Sequence, residues 1–431
     1  MISARSATAE RLFDIAAELF CERGYAVTTT REIAAAVGIQ QASLYYHIPS
    51  KEDLLFRICV SSLEHLHAKV ASAVRKTSDP LDRIHALART HLRTILRHQH
   101  RNVTMLNELR ALSGPHRIIV VALRRKYADL VRTVLEEAQS AGAVRADIEP
   151  RYLYLALLNI LNWAVLWFRR GQNLSADPLA RMFTSIYLHG AAAPGSSLAP
   201  APVPALPAHT NLPETASAIP ARLLETAAIL FSRKGYAAAT TREIAEMLGI
   251  QKPSLYYHID NKEDLLYAIC KSSLEQIAAD VSAALAHAED PLGRTRALVH
   301  AHVDNLIRDQ ARHAAAVSEM RALSGSRLSD IIVLRDAYEK LVRDVLRDAQ
   351  RAGVLRDDIP DKFLSLGLLG LLNRIEIWYR PDGSLAPAEL AQVFETIFLE
   401  GVATTSRSAA PSPDQCGRRV APEDNTRGPS A

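Results

Sequence analysis

A 36-residue segment of this chain occurs twice: GYAVTTTREIAAAVGIQQASLYYHIPSKEDLLFRIC from Gly24 returns as GYAAATTREIAEMLGIQKPSLYYHIDNKEDLLYAIC from Gly235, 211 residues later and without a gap. Roughly 25 of the 36 positions agree. The register persists well beyond this window, since ELRALSG (Glu108 to Gly114) meets EMRALSG (Glu319 to Gly325), Asn162 meets Asn373 and Trp167 meets Trp378 at the same offset. Two long copies indicate two duplicated globular units, each owning a core, and argue against a solenoid of short repeats. A length of 431 residues suits that reading, being too long for one compact core.

Within a copy, apolar residues recur at helical spacing, as in Leu12, Ala16, Leu19 and Phe20, and no sustained strand-like alternation is found. Each unit is expected to be all-α. Thr29 with Glu32 and Thr240 with Glu243 have the T-x-x-E spacing of a capping box, Ser50 and Asn261 can cap the helices that follow, and Asp79-Pro80 and Asp290-Pro291 open others. Between the copies, residues 191–219 are rich in Ala, Pro and Ser, as expected of an extended linker, and 404–431 have the composition of a disordered tail.

Thr29 to about Val37 reads as a short helix, Gly38 as a sharp turn and Gln40 to His47 as a second helix, which is helix-turn-helix spacing. Ile33, Val37, Ile39, Leu44 and Ile48 can close a small interior, leaving Gln40, Gln41, Ser43 and Tyr45 on the opposite side. The segment from Thr30 to Leu55 and its copy resemble the DNA-binding segment of TetR/AcrR-family regulators. The resemblance implies two TetR-like units, each an N-terminal three-helix DNA-binding domain (1–55 and 220–266) followed by a helical ligand-binding and dimerisation bundle (56–190 and 267–403). It places phosphate contacts at Thr30, Arg31, Tyr45, Tyr46, His47 and Lys51, and at Thr241, Arg242, Tyr256, Tyr257, His258 and Lys262. It places base reading at Gln40, Gln41, Ala42 and Ser43, and at Gln251, Lys252, Pro253 and Ser254.

Gln41 favours an adenine edge and Lys252 a guanine, so the operator is expected to be an imperfect palindrome. A linker of about 30 residues can reach roughly 90 Å, beyond the ~34 Å between adjacent half-sites. An intramolecular pseudo-dimer is therefore expected, with a homodimer as the alternative. Candidate residues for an effector site are Asn107, Glu108, Arg110, Asn159, Asn162, Trp163 and Trp167, with Glu319, Arg321, Asn373 and Trp378 in the second copy. The ending around Trp163 and Trp167 resembles family members that sense small apolar or acyl ligands.

Other classes are disfavoured. A formal charge of +4 does not by itself mark a nucleic-acid binder. Cys21, Cys59, Cys270 and Cys416 form no CxxC pair, and no metal-ligand spacing, nucleophile elbow or phosphate-cradling loop is found, so neither catalysis, metal nor cofactor is expected. His91, His98 and His100 read as scattered surface histidines. No segment reads as membrane-spanning, and a cytoplasmic repressor released by its ligand is expected. The rival reading is a ligand-responsive scaffold that binds a protein partner and has lost DNA binding in one or both copies.

Overall fold

The computed structural model describes residues 2–168, 175–190, 206 and 220–401, with side chains from Glu10 onward except that of His47. The expected linker, apart from Leu206, and the expected tail beyond residue 403 lie outside the described residues. Among those described, the chain is helical, with no β-structure beyond isolated bridge residues at Val144 and Leu355. In the first half the helices are α1 (Ile2–Arg23), α2 (Thr30–Val37), α3 (Gln41–His47), α4 (Lys51–Val74), α5 (Pro80–Arg97), α6 (Gln99–Asn107), α7 (Gly114–Ser140), α8 (Pro150–Trp167) and α9 (Ala176–His189). The second half repeats them as α10 (Ala221–Lys234), α11 (Thr241–Leu248), α12 (Lys252–Leu255), α13 (Lys262–Ala286), α14 (Pro291–Arg308), α15 (Gln310–Glu319), α16 (Gly325–Arg351), α17 (Asp361–Leu372), α18 (Ile375–Trp378) and α19 (Pro387–Leu399).

The local chemistry that starts and stops these helices is the same in both halves. Thr29 Oγ1 accepts from the Glu32 amide at 3.2 Å while Glu32 Oε2 accepts from the Thr29 amide at 2.8 Å, and Thr240 and Glu243 repeat the exchange. Ser50 and Asn261 cap α4 and α13, and Asp79 and Asp290 cap α5 and α14 just before their first-turn prolines. Gly38 and Gly249, at φ +82° and +70°, close α2 and α11 in the left-handed region that side chains avoid.

Three cores result. Leu12, Phe20, Ile33, Leu44, Ile48 and Leu54 form the interior of the first head, which also takes Met105, Leu112 and Val120 from the bundle. The second head is built likewise on Leu223, Phe231, Ile244, Leu255 and Ile259. The third core is single and runs without a break from α4 to α9 of the first half into α13, α14 and α16 to α19 of the second. The two bundles are thus one body, joined where α8 and α9 pack on α17 and α19.

That seam is asymmetric. A Cβ on Gly370 would stand 3.1 Å from Trp163 Cβ and 3.2 Å from the Ile160 backbone, and one on Gly367 would stand 2.9 Å from Ile186. The equivalent residues in the first half are Asn159 and Ala156, so the glycines of one side receive the bulk of the other. Asn159 Nδ2 donates to the Leu371 carbonyl at 3.3 Å. Arg145 reaches Glu400 at 2.9 Å and, in mirror position, Arg356 reaches Ser185 Oγ at 3.0 Å. The halves also differ locally. Helix α8 is continuous to Trp167, whereas its counterpart breaks at Asn373 and Arg374 into α17 and α18; α12 is a single turn where α3 has two.

Candidate nucleic-acid interface

In each head, buried Leu44 or Leu255 pins a short helix to the core. Gln40 to Ser43, Tyr45 and Tyr46 are exposed, as are Gln251 to Ser254, Tyr256, Tyr257 and His258. Tyr46 and Tyr257 are 84% and 87% exposed, unusual for large aromatic rings and the same in both copies. Gln40 and Gln251 are the N-cap residues, so the expected base-reading residues occupy the helix ends that would enter a groove first. Thr30 Oγ1 and Tyr45 OH are 3.0 Å apart, Gln41 Nε2 donates to Thr30 Oγ1 at 3.1 Å, and Thr241 and Tyr256 are 3.3 Å apart. These bonds hold the start of one helix against the face of the next, which fixes the directions of hydroxyl donors before any duplex arrives.

The heads are not equivalent in charge. Arg242 Nε donates to Glu246 at 2.8 Å, which raises the guanidinium's pKa, whereas the position matching Glu246 in the first head is Ala35 and leaves Arg31 without that carboxylate. Lys51 and Lys262, for which the resemblance implies phosphate contacts, have partners within the protein. Lys51 Nζ donates to the carbonyls of Tyr25, Ala26 and Thr28 at 2.8, 3.1 and 2.8 Å and lies over the Tyr25 ring. Lys262 repeats this on Tyr236, Ala237 and Ala239. Partial burial lowers the pKa of both amines. An ammonium has three N–H bonds, and here all three are spent on holding the turn before α2 or α11. Lys51→Met is therefore expected to destabilise the protein by about 2 to 3 kcal/mol in denaturant titration. It should change the slope of log affinity against log salt by much less than the ~1 that loss of a phosphate contact brings.

Of the expected effector residues, Asn162 and Asn373 lie in the bundle interiors, in a network the sequence reading missed. His91, 1% exposed, is no surface histidine: its Nδ1 is 2.6 Å from Tyr127 OH and its Nε2 is 3.2 Å from Asn162 Oδ1. His302, Tyr338 and Asn373 repeat the arrangement at 2.6 and 3.0 Å. Because an amide oxygen only accepts, Nε2 carries the proton and Nδ1 accepts from the phenol. Burial pushes both imidazoles down to about 4, so both are neutral at pH 7. Recurrence of His, Tyr and Asn at the 211-residue offset was the signal available for finding this network.

Trp163, Trp167 and Trp378 bring buried indole N–H groups that find no acceptor among the described residues, and Asn107 is half-buried at the end of α6. Asn159 belongs to the seam. Glu108, Arg110, Glu319 and Arg321 lie in neither interior but at the junction of the two halves, paired with one another. The second interior has polar groups that the first lacks. His313 is buried, and among the described residues neither of its ring nitrogens has a hydrogen-bond partner, nor does Oε2 of the buried Glu376. Their first-half equivalents are Asn102, which is hydrogen-bonded, and Val165. Arg374 is buried near Glu376 and near Arg124 of the first half, with no ion pair from either arginine among the described residues; burial lowers the pKa of both.

Burial raises Glu376 to about 7 from an ordinary 4.5. A raised carboxyl contributes its full stability below pH 4.5 and loses it as pH rises through 7. Glu376→Gln should thus match the parent at pH 4.5 and exceed its stability by about 3 kcal/mol at pH 8, read as a shift in denaturation midpoint.

Sequence comparison places these features among known proteins. The profile of bacterial regulatory proteins of the tetR family matches residues 12–58 and again 223–269, and the profile of tetracyclin repressor-like C-terminal domains matches 77–191 and 288–402. The HTH-type transcriptional repressor KstR2 of Rhodococcus jostii (strain RHA1) is 33% identical over 193 residues, 44% of this chain and 95% of that protein. The HTH-type transcriptional activator FasR of Mycolicibacterium smegmatis is 35% identical over 167 residues, 37% of this chain and 72% of that protein. Among solved structures, AibR in complex with isovaleryl coenzyme A and operator DNA is similar at 28% identity, covering 42% of this chain and 97% of that one, with a TM-score of 0.39.

Proposed function

Since the chain belongs to the TetR family of DNA-binding transcriptional regulators and carries that family's two domains twice, we propose that it acts alone as an internal pseudo-dimer on an imperfectly palindromic operator. The observation that carries this reading is the pair of matching exposed surfaces, Gln40 to Tyr46 and Gln251 to Tyr257, mounted on one body with a shared core. Each reading helix meets its half-site through Tyr, Thr and Arg donors to phosphate, while Gln41 and Lys252 select different bases.

Internal pairing is supported by the shape of the seam. In a pair of first halves, Trp163 would face Asn159 where it now meets Gly370; in a pair of second halves, the charged Arg374 would stand against Gly370 in place of Trp163. Neither self-pairing reproduces the contact of Trp163 with Gly370.

The regulator acts in the cytoplasm as a repressor, and a small ligand with an apolar or acyl body releases it. Support comes from the aromatic walls, with Trp167 edge-on to Phe183 and Trp378 stacked on Phe394, and from the indole N–H groups awaiting acceptors. The guanidiniums of Arg374 and Arg124, which form no ion pair among the described residues, suit an acidic end on that ligand, and His313 and Glu376, whose ring nitrogens and Oε2 find no hydrogen-bond partner there, favour the second half as the sensing one.

Selection of bound duplexes from a random pool tests the DNA reading. The expected product is a two-part site with unlike halves, bound by one chain of 47.4 kDa and released by acyl compounds bearing an acidic group. Binding at twice that mass to identical half-sites would overturn the internal pairing, and no duplex preference at low salt would overturn the function.

A further inference from the structure

Outside the reading segment, ELRALSG and EMRALSG are a stretch in which the copies have stayed nearly identical, and DNA contact does not account for it. Each closes α6 or α15 and turns the chain into α7 or α16. Glu108 and Glu319 are only 6% and 7% exposed, an environment that carboxylates avoid unless paired. Their partners come from the opposite half.

Arg110 crosses the junction to Glu319, and its other terminal nitrogen donates to the carbonyls of Phe231 and Ser232, which close α10. Its guanidinium lies against Gly235, where a Cβ would stand 3.1 Å away and where φ is +86°. Glu319 completes the knot by accepting from the Tyr236 amide at 3.1 Å. In mirror position, Arg321 crosses to Glu108 and donates to the Cys21 carbonyl near the end of α1 at 3.3 Å. Each arginine thus grips the carboxyl-terminal end of the opposite head's first helix, where the helix dipole favours a cation.

Buried ion pairs add little net stability, but they tolerate few geometries. A knot that ties each head to the other half therefore restricts how far apart the heads stand and at what angle. We propose that Glu108, Arg110, Glu319 and Arg321 are positioning residues that set the separation of the two reading helices and so select operators by half-site spacing. The consequence for DNA rests on the duplex-binding reading above; the consequence for the distance between heads does not.

The test uses the full chain with all four groups replaced by uncharged ones of similar shape: Glu108→Gln, Arg110→Met, Glu319→Gln and Arg321→Met. This leaves no buried charge unpaired. Spin labels on S43C and S254C, in a chain carrying C21A and C416S, report the distance between heads. A narrow distribution in the parent and a broad or shifted one in the fourfold variant is expected; identical distributions would overturn the proposal whatever the protein does with DNA. On operators differing by single base pairs in half-site separation, the parent should prefer its best spacing by about 10-fold or more, and the variant's preference should fall toward parity. A uniform loss at every spacing, with the preference intact, would make the knot merely structural and would also overturn the proposal. Should the parent bind no duplex, the DNA reading fails and the distance measurement still decides this one.

Discussion

Alanine at both Tyr46 and Tyr257 is expected to lower operator affinity by about two to three orders of magnitude, at roughly 1 to 2 kcal/mol for each head, while leaving the denaturation midpoint unchanged. The two rings protrude 84% and 87% exposed beside the Tyr45 and Tyr256 hydroxyls tethered to Thr30 and Thr241, and neither belongs to a core. Removing them subtracts contact area and a hydroxyl from the duplex-facing surface without opening a cavity. The single variants carry the more specific information. Tyr46→Ala and Tyr257→Ala should each cost affinity, with the larger loss from the first head. There the position matching Glu246 is Ala35, whereas in the second head Glu246 occupies Arg242 and adds negative charge close to the phosphates. Mobility shifts over a salt series measure both effects. If Tyr257→Ala binds as tightly as the parent, the second head does not read DNA, and the scaffold alternative holds for that copy.

Gly370→Leu is expected to destabilise the protein by about 3 kcal/mol or more through over-packing. A Cβ at Gly370 already meets Trp163 Cβ at 3.1 Å and the Ile160 backbone at 3.2 Å, both fixed to a helix that cannot swing aside. The remaining atoms of leucine have nowhere to go, so α8 and α17 must part and the common core must open along its length. The expected readout is a lower denaturation midpoint together with a larger radius in solution scattering. Trp163→Ala in the same chain should recover part of the loss, because it vacates the space the new side chain needs; a coupling of about 1 kcal/mol or more between the two changes is expected for residues in contact. A Gly370→Leu protein as stable and as compact as the parent would sink the seam as drawn.

What could be read in advance follows from the range of each interaction. The caps at Thr29, Ser50 and Asp79 and the turn at Gly38 act over three or four residues, so a linear sequence displays them whole. The duplication was equally plain, because identity at a fixed offset needs no structure. Lys51 was harder: its three carbonyl partners lie 23 to 26 residues upstream, and nothing in the local sequence announces them. His91 needed partners 36 and 71 residues away. The pairs Arg110–Glu319 and Arg321–Glu108 span more than 200 residues, and nothing local distinguishes them from polar groups lining a pocket. The break between α17 and α18 escaped notice for another reason. Leu364 to Leu372 reads as a strong apolar helix, and only the burial of Arg374 and Glu376, which composition does not foretell, accompanies its interruption.

The fit of Trp163 into the hollow at Gly370 has a bearing on how such a chain can change over time. Around a true twofold axis every substitution is made twice, so a change that suits one contact is imposed on the symmetry-related contact as well. Covalent fusion removes that constraint. Trp163 sits against Gly370, whereas the matching positions carry Arg374 and Asn159, and a pair of identical subunits cannot hold unlike residues at its two equivalent contacts. The same licence extends to the reading helices and to the two interiors, each of which answers to a single codon. A regulator of this construction can follow drift on one side of its target, or surrender one sensing cavity, while its opposite half stays as it was.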